Sequence, residues 1–213
     1  MSIVIFAKIN GQAMKKSFLF TLLAVATLLT TALGVQASPA GPNKNTDKRV
    51  KLAREKYPQR LQTISSVKQY EEDGIPNVNY LTAMRQQNWA GSGQSKDKTE
   101  YYYTEIEKED EPHPVGYTLL IVRRTYNVGS QDFFEEFVYD DDGNPLFWFS
   151  KYGFPEEPKI ELRGYFDADG TLVRSLTKNI DDKEEIKFAF AAAKKNIILF
   201  KKAFQAMYGV TYY

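Results

Sequence analysis

The chain contains no cysteine. That excludes a disulfide framework, a thiol nucleophile, a cysteine-ligated zinc site and a lipid-modified cysteine. Histidine is nearly absent too. The single one, His113, stands in Glu111-Pro112-His113-Pro114, a turn-like setting with no second imidazole to complete a metal cluster and no evident partner for a catalytic triad. Charge of one sign is lacking: the formal net charge is +1, and residues 1–37 hold Lys8, Lys15 and Lys16 and no acid, so the remainder is slightly negative. No strong footprint for nucleic acid or an anionic membrane results. The glycine-rich stretch Gly91-Ser92-Gly93-Gln94-Ser95-Lys96 lacks the Gly-Lys-Ser/Thr order of a phosphate loop and reads as an ordinary loop.

A long apolar run is also missing. The nearest is Phe18 to Leu33, broken by Thr21, Thr27, Thr30 and Thr31 and shorter than the ~20 predominantly apolar residues a spanning helix needs. Met14-Lys15-Lys16 precedes it and Val35-Gln36-Ala37 follows. Basic, apolar, then small is the order of a secretory signal peptide, so cleavage near Ala37 and a soluble periplasmic or secreted product are expected. Residues 1–13 form an N-terminal extension, 38–45 a Pro/Gly/Asn-rich flexible arm, and 46–213 a single domain.

That domain reads as α+β. Thr46 or Asp47 caps a helix in which Val50, Ala53, Tyr57, Leu61, Ile64 and Val67 recur at three or four residues. Pro58 lies inside it and predicts a kink or a break. Residues 75–97 have no clear period and read as mostly irregular, with a short strand or helix at Tyr80 to Gln87 as the one candidate element. From Thr99 the chain turns aromatic and β-branched, with six strands expected over 99–108, 116–128, 132–140, 145–152, 159–166 and 171–178. Their short connectors require an antiparallel meander. Asp181 or Asp182 then caps an amphipathic helix carrying Ile186, Phe190, Ala193, Ile197, Phe200, Phe204 and Met207, which ends at Gly209. Helix, six-stranded meander and helix make a two-layer domain, with a partly closed barrel as the alternative. Leu119 to Val122 and Leu146 to Phe149 are apolar at consecutive positions, which calls for cover on both faces of the middle strands or a sheet curled over itself.

Two segments share the pattern aromatic-Asp-x-Asp-Gly, at Tyr139 to Gly143 and Phe166 to Gly170. Calcium is the functional reading of such spacing. An EF-hand loop, however, needs a further ligand and a bidentate glutamate where this chain has Asn144 and Lys151, or Thr171 and Lys178. Hairpin turns closed by a positive-φ glycine are the expectation, with no metal and no cofactor.

Carboxylate-only hydrolysis needs neither cysteine nor histidine, and Glu105, Glu135, Glu136 and Glu161 are the candidates. On strands these acids read instead as cross-strand partners of lysine and arginine on the solvent face. The abundant side chains are aromatic, with 14 Tyr, 14 Phe and 2 Trp. Tyr101-Tyr102-Tyr103 and Phe147-Trp148-Phe149 put rings on both sheet faces, and Trp89 stands beside the Gly/Ser loop. Trp89, Tyr102 and Trp148 are therefore the candidate ligand-binding residues, since amphipathic rings bind with little entropy loss.

Lys98-Thr99-Glu100-Tyr101-Tyr102-Tyr103, the run from Phe133 to Asp140 and the run from Arg163 to Gly170 resemble uncharacterised secreted proteins of the Bacteroidetes type. The resemblance spans about 52–178 and implies export to the periplasm or exterior of a Gram-negative bacterium, with no activity or site residue attached. The expected function is a non-enzymatic binding module for a protein or glycan. The alternatives are a carboxylate hydrolase of envelope or dietary glycans, and a structural or inhibitory partner using the proline-rich loops 112–114 and 155–158.

Overall fold

The computed structural model describes residues 44–73, 79–89, 93–107 and 115–208. The signal segment, most of the arm, the His113 loop, Gly91 and Ser92, and Gly209 lie outside the described residues. Helix α1 (Lys44–Asp73) leads into strands β1 (Asn79–Trp89), β2 (Gly93–Glu107), β3 (Val115–Val128), β4 (Gln131–Tyr139), β5 (Pro145–Gly153), β6 (Ile160–Phe166) and β7 (Leu172–Lys178), and helix α2 (Lys183–Tyr208) closes the chain. Residues Ala40–Tyr213 fall in one compact unit.

The strands form one open sheet in the order β1-β2-β3-β4-β5-β6-β7, every pair antiparallel. The meander is therefore as expected, but it has seven strands rather than six, and it is not a barrel. The sequence foresees β1 only as a short element at Tyr80 to Gln87, strand or helix, because from Ala83 to Asn88 it is exposed and mostly polar, so no apolar alternation marks it. The architecture has three layers rather than two. Val50, Ala53, Ile64 and Val67 of α1 pack with Tyr102, Ile121, Val138, Leu146 and Phe147 on one face. Phe190, Ala193, Ile197 and Phe204 of α2 pack with Phe137, Tyr139, Trp148, Leu162 and Phe166 on the other. Each face of β4 and β5 thus buries its own apolar row, which accounts for the doubly apolar stretches in the sequence.

Pro58 does not split α1. It lies on the exposed side of a helix that runs unbroken from Lys44 to Asp73. Its neighbours hold that turn to the sheet: the Tyr57 hydroxyl donates to Glu136 Oε2 at 2.5 Å and Arg60 donates to Asp141 Oδ1 at 2.7 Å. The helix also begins earlier than expected, so Asp47 sits in its first turn instead of capping it. At α2 the expected cap is present. Asp182 Oδ1 accepts the backbone N–H groups of Glu184 and Glu185 at 3.0 and 3.1 Å.

The two Asp-Gly segments are hairpin turns lying side by side in the sheet order. In each, the leading aspartate's N–H reaches across the turn, to Asn144 O at 2.9 Å and to Thr171 O at 2.8 Å. Gly143 (φ +70°) and Gly170 (φ +83°) occupy the left-handed region that such turns require. Asp140 accepts the N–H groups of Asp142 and Asn144 at 3.1 and 2.8 Å and Arg49 at 3.0 Å. Its oxygens are thereby engaged within the turn and by α1.

The two glycines differ in their surroundings. A Cβ at Gly143 would make ordinary contact with Thr118 Cγ2 at 3.6 Å, whereas one at Gly170 would meet Ile198 Cδ1 of α2 at 2.7 Å. Gly143→Ala is expected to cost about 1–2 kcal/mol from its φ alone, and Gly170→Ala about 1–3 kcal/mol more through overpacking. In an Ile198→Ala background, which lacks both that Cδ1 and the Cγ1 that would stand at 3.2 Å, chemical denaturation should find the Gly170→Ala cost reduced to that of Gly143→Ala. An excess that survives Ile198→Ala would show that the clash is not the cause.

Candidate functional site

The β3–β4 register sets Arg123 opposite Glu136 and Arg124 opposite Glu135. Because side chains alternate along a strand, one Arg–Glu pair falls on each face of the sheet. Charge pairing between strands is as expected, but the expected solvent face is not: Glu135 and Glu136 are 6% and 1% exposed. Both helices cover β4, so acids that would point to water in a two-layer sheet are buried here.

On the α1 face, Glu136 Oε1 accepts Arg123 Nε at 3.1 Å and a terminal guanidinium nitrogen at 2.7 Å, while Oε2 accepts the Tyr57 hydroxyl. Burial, with the carboxylate alongside, pushes the Tyr57 hydroxyl far above the ordinary tyrosine range. On the α2 face, Glu135 Oε1 accepts Trp148 Nε1–H at 3.2 Å, and Oε2 has an Arg124 nitrogen at 3.6 Å but no hydrogen bond. Arg124 instead gives its two good hydrogen bonds, 3.0 and 2.7 Å, to Asp97. Its guanidinium also lies 4.2 Å from the Tyr126 ring centroid.

This network sits in two rows running across the strands. Thr99, Arg124, Glu135 and Ser150 form a polar row, and Asp97, Tyr126, Phe133 and Tyr152 lie alongside it. The three rings of the second row stack nearly parallel, at 4.7 and 5.1 Å between centroids. Tyr152 ends the stack by donating its hydroxyl to Glu185 of α2 at 2.8 Å.

Burial raises the Glu135 carboxyl above the usual carboxylate range despite Arg124 and Trp148. At Asp97 burial pushes upward as well, but the hydrogen bonds and charges of Arg124 and Arg85 outweigh it and hold that carboxyl low. Such divergence marks an acid–base pair in some enzymes. Here Glu135 is enclosed and Asp97 is tied to two guanidiniums. Glu105 accepts Asn79 Nδ2 at 3.1 Å, and Glu161 accepts Arg163 at 3.0 Å with Lys178 at 3.6 Å. Each of the four candidate acids therefore has a polar or cationic partner. Among the described residues no group of three or more His, Asp or Glu is placed to hold a metal ion.

Two of the three expected ligand-binding residues belong to the core. Trp148 is 2% exposed, meets Phe190 of α2 edge-on at 5.5 Å and donates to Glu135. Tyr102 is 3% exposed in the α1-face core, stacked on Tyr80 at 5.9 Å. The helices cover these rings, so neither offers a platform to a ligand. Trp89 ends β1, its backbone paired with Gly93; its side chain lies outside the described residues.

Two open grooves are notable among the described residues. One, of about 410 Å³, lies between the start of α1 and the Asp turns and includes Lys48, Arg49, Asp141 and Asp167. Its ionic groups are largely matched to each other: Arg49 binds Asp140 and the carbonyls of Phe166 and Pro145, and Lys56 binds Asp141. The other, of about 370 Å³, runs between β1 and α2, with Met84, Asp97, Arg124, Asn196, Leu199 and Phe200 around it.

That second groove borders the most open part of the sheet. Among the described residues β1 has a strand on one side only, and its side chains from 83 to 88 are all exposed. Met84, 77% exposed, projects on the α1 face by its register with Lys98, while Leu199, 46% exposed, lies at the groove on the α2 face.

No family model, curated protein or solved structure matches this chain.

The site therefore stands on its own geometry: an edge strand, an adjoining groove, and beneath them the Arg85–Asp97–Arg124 network that ties β1 and β2 to β3. Sequence reasoning reaches the edge only as a short strand or helix over Tyr80 to Gln87 in a segment that reads as mostly irregular. The further signal available was an eleven-residue run with no proline or glycine, Asn79 to Trp89, followed by a glycine-rich sequence.

The two divergent carboxyls set opposite pH dependences. Glu135 holds its proton more tightly folded than unfolded, so its contribution to stability is present below the ordinary carboxylate range and is lost as pH rises through its folded value. Asp97 contributes above that range and loses its contribution as pH falls through its lowered value. Urea unfolding at a series of pH values should find Glu135→Gln progressively better tolerated, relative to the parent chain, as pH rises. Asp97→Asn should become progressively more costly. Parallel trends in the two variants would contradict the assigned directions.

Proposed function

We propose that this chain is an exported, non-enzymatic binding module that takes up an extended segment of a protein partner alongside β1. The observation that carries this reading is the edge itself. It offers eleven residues of strand without proline, with a single charged side chain, Arg85, and that charge is answered by Asp97 at 3.1 Å. Natural edges are usually blunted by lysines, prolines, bulges or covering elements. The opposite edge follows that practice: β7 carries Arg174 and Lys178. A partner strand would draw affinity from main-chain hydrogen bonds along β1, and specificity from side chains reaching the groove beside Leu199 and Phe200 on one face and Met84 on the other.

Export rests on the basic-apolar-small N-terminal segment and on the resemblance to secreted proteins. No helix among the described residues is long and apolar enough to cross a membrane. A protein partner is favoured over a glycan because Trp148 and Tyr102 lie under the helices, and over glycan hydrolysis because the candidate carboxylates are engaged by Arg, Lys, Asn, Tyr or Trp side chains.

Peptides selected from a random library against residues 40–213 test the reading. The selected sequences should be extended and β-branched, and should slow amide hydrogen exchange along 79–89 more than elsewhere. Gln86→Pro together with Asn88→Pro, which removes two backbone donors from an exposed strand, should weaken their binding at least about tenfold. Peptides whose protection maps to α1 or β7 and not to β1 would overturn it.

A further inference from the structure

The exposed edge fits one partner whose sequence is on the page, a second copy of the same strand. We infer that two copies of this chain pair β1 with β1 about a twofold axis centred on Met84, joining their sheets into one continuous sheet. The inference rests on the strand-addition reading above and names its occupant.

Symmetry fixes the possible registers. Directly opposed residues in an antiparallel ladder project to the same face, and a twofold perpendicular to the sheet leaves each face unchanged. Residue i must then oppose a residue of the same parity, so the axis passes beside one residue that faces its own copy. β1 runs from Asn79 to Trp89, and Met84 is its middle residue. Only this centre overlaps the whole strand.

The chemistry selects the same centre. Shifting it by one residue to Arg85 would set Arg85 against Arg85, a like-charge contact directly across the ladder, and shifting it the other way, to Ala83, would take Met84 off the axis and set Asn88 and Trp89 opposite positions outside β1. With Met84 on the axis, Arg85 opposes Ala83, Thr82 opposes Gln86 and Leu81 opposes Gln87, so no like charges face each other. Arg85 also keeps its own counter-charge in Asp97. Met84, the most exposed of the large apolar side chains, then meets an identical apolar side chain. That contact lies on the α1 face, to which Met84 projects by its register with Lys98.

The absence of cysteine makes the register directly readable, because one introduced thiol is the only thiol in the chain. Across an antiparallel ladder, opposed Cα atoms lie about 4.5–5.5 Å apart, within disulfide reach. Met84→Cys should therefore cross-link to its copy under mild oxidant. Gln86→Cys should not, since the two copies of that position are separated by four residues of strand, roughly 14 Å.

Sedimentation equilibrium of residues 40–213 should reveal two copies at high concentration. Met84→Lys, at a position that contributes nothing to the core, should weaken pairing at least about tenfold with an unchanged melting temperature in the dilute monomer. A chain that stays monomeric at its highest soluble concentration, with neither thiol variant cross-linking, overturns the pairing. Equal cross-linking of both variants also overturns it, by refuting the Met84-centred register. Peptide protection of 79–89 in a strictly monomeric chain would overturn this inference alone. Loss of both pairing and protection would sink strand addition with it.

Discussion

The register of β3 against β4 is the constraint on which the other layers depend. β4 is covered on both sides, and its central residues include two consecutive acids, one directed to each helix. A buried, unpaired carboxylate is costly, and removing one partner of a buried ion pair typically costs about 3–5 kcal/mol. Only the observed register puts Arg123 beside Glu136 and Arg124 beside Glu135. A slip of one residue would turn the β4 side chains to the wrong faces, leaving Phe137 and Val138 mismatched to their helices as well. The paired arginines and glutamates thus act as a registration device, and each helix attaches to its half. α1 does so through Tyr57 on Glu136, and α2 through Ala193 and Phe190 packed beside Trp148, whose indole binds Glu135.

A second fixed point lies at the end of the sheet where the two Asp-Gly turns sit. Arg49, on the first turns of α1, donates to Asp140 in one hairpin, to the Phe166 carbonyl leading into the other, and to the Pro145 carbonyl that opens β5. One guanidinium thereby connects α1 to three strand ends. The turn motif serves two structural purposes: its glycine closes the hairpin, and its leading aspartate is shaped by backbone N–H groups into an acceptor for the helix. Across the sheet, α2 uses the second turn differently, with Ile198 occupying the space that a side chain at position 170 would fill.

Much of this was legible in the sequence, and the misreadings share a cause. Six strands and both helices were marked by period, caps and turn residues, and the Asp-Gly turns by their glycines. The third layer was foreshadowed by Leu119 to Val122 and Leu146 to Phe149, apolar on consecutive residues, a pattern that only two-sided burial explains. The same reasoning, applied fully, would have removed Tyr102 and Trp148 from the candidate site, since a ring in a doubly buried strand is core on either face. The glutamates were misplaced because charged strand residues were assigned to a solvent face, although Phe133 to Val138 carries the same apolar-acid-apolar order on both faces. The correcting signal was Arg123-Arg124 in the preceding strand, one arginine for each face. β1 left no signal of this kind: an exposed edge strand needs no apolar alternation, and its identity comes from pairing with β2, which is a tertiary fact. Pro58 was read correctly as a missing donor, but whether a proline breaks a helix depends on what anchors the flanking turns, and Tyr57 and Arg60 find their partners far away in the chain.

The connectivity carries a consequence for how the chain acquires its structure. Every strand pairs with the strand synthesised just before it, so the sheet assembles by successive local hairpins and never waits for a distant segment. The two helices stand at opposite ends of the chain and on opposite faces. As a chain exported in the way proposed emerges N-terminus first on the far side of the membrane, the α1 face can be sheltered from the outset, each new strand arriving against a helix already made. The other face, with Tyr101, Val122, Phe137 and Trp148 in one row, stays uncovered until the final helix docks. The interval between β7 and the completion of α2 is therefore the period of greatest exposure to aggregation, and the four-residue connector between the last strand and the start of that helix keeps it brief.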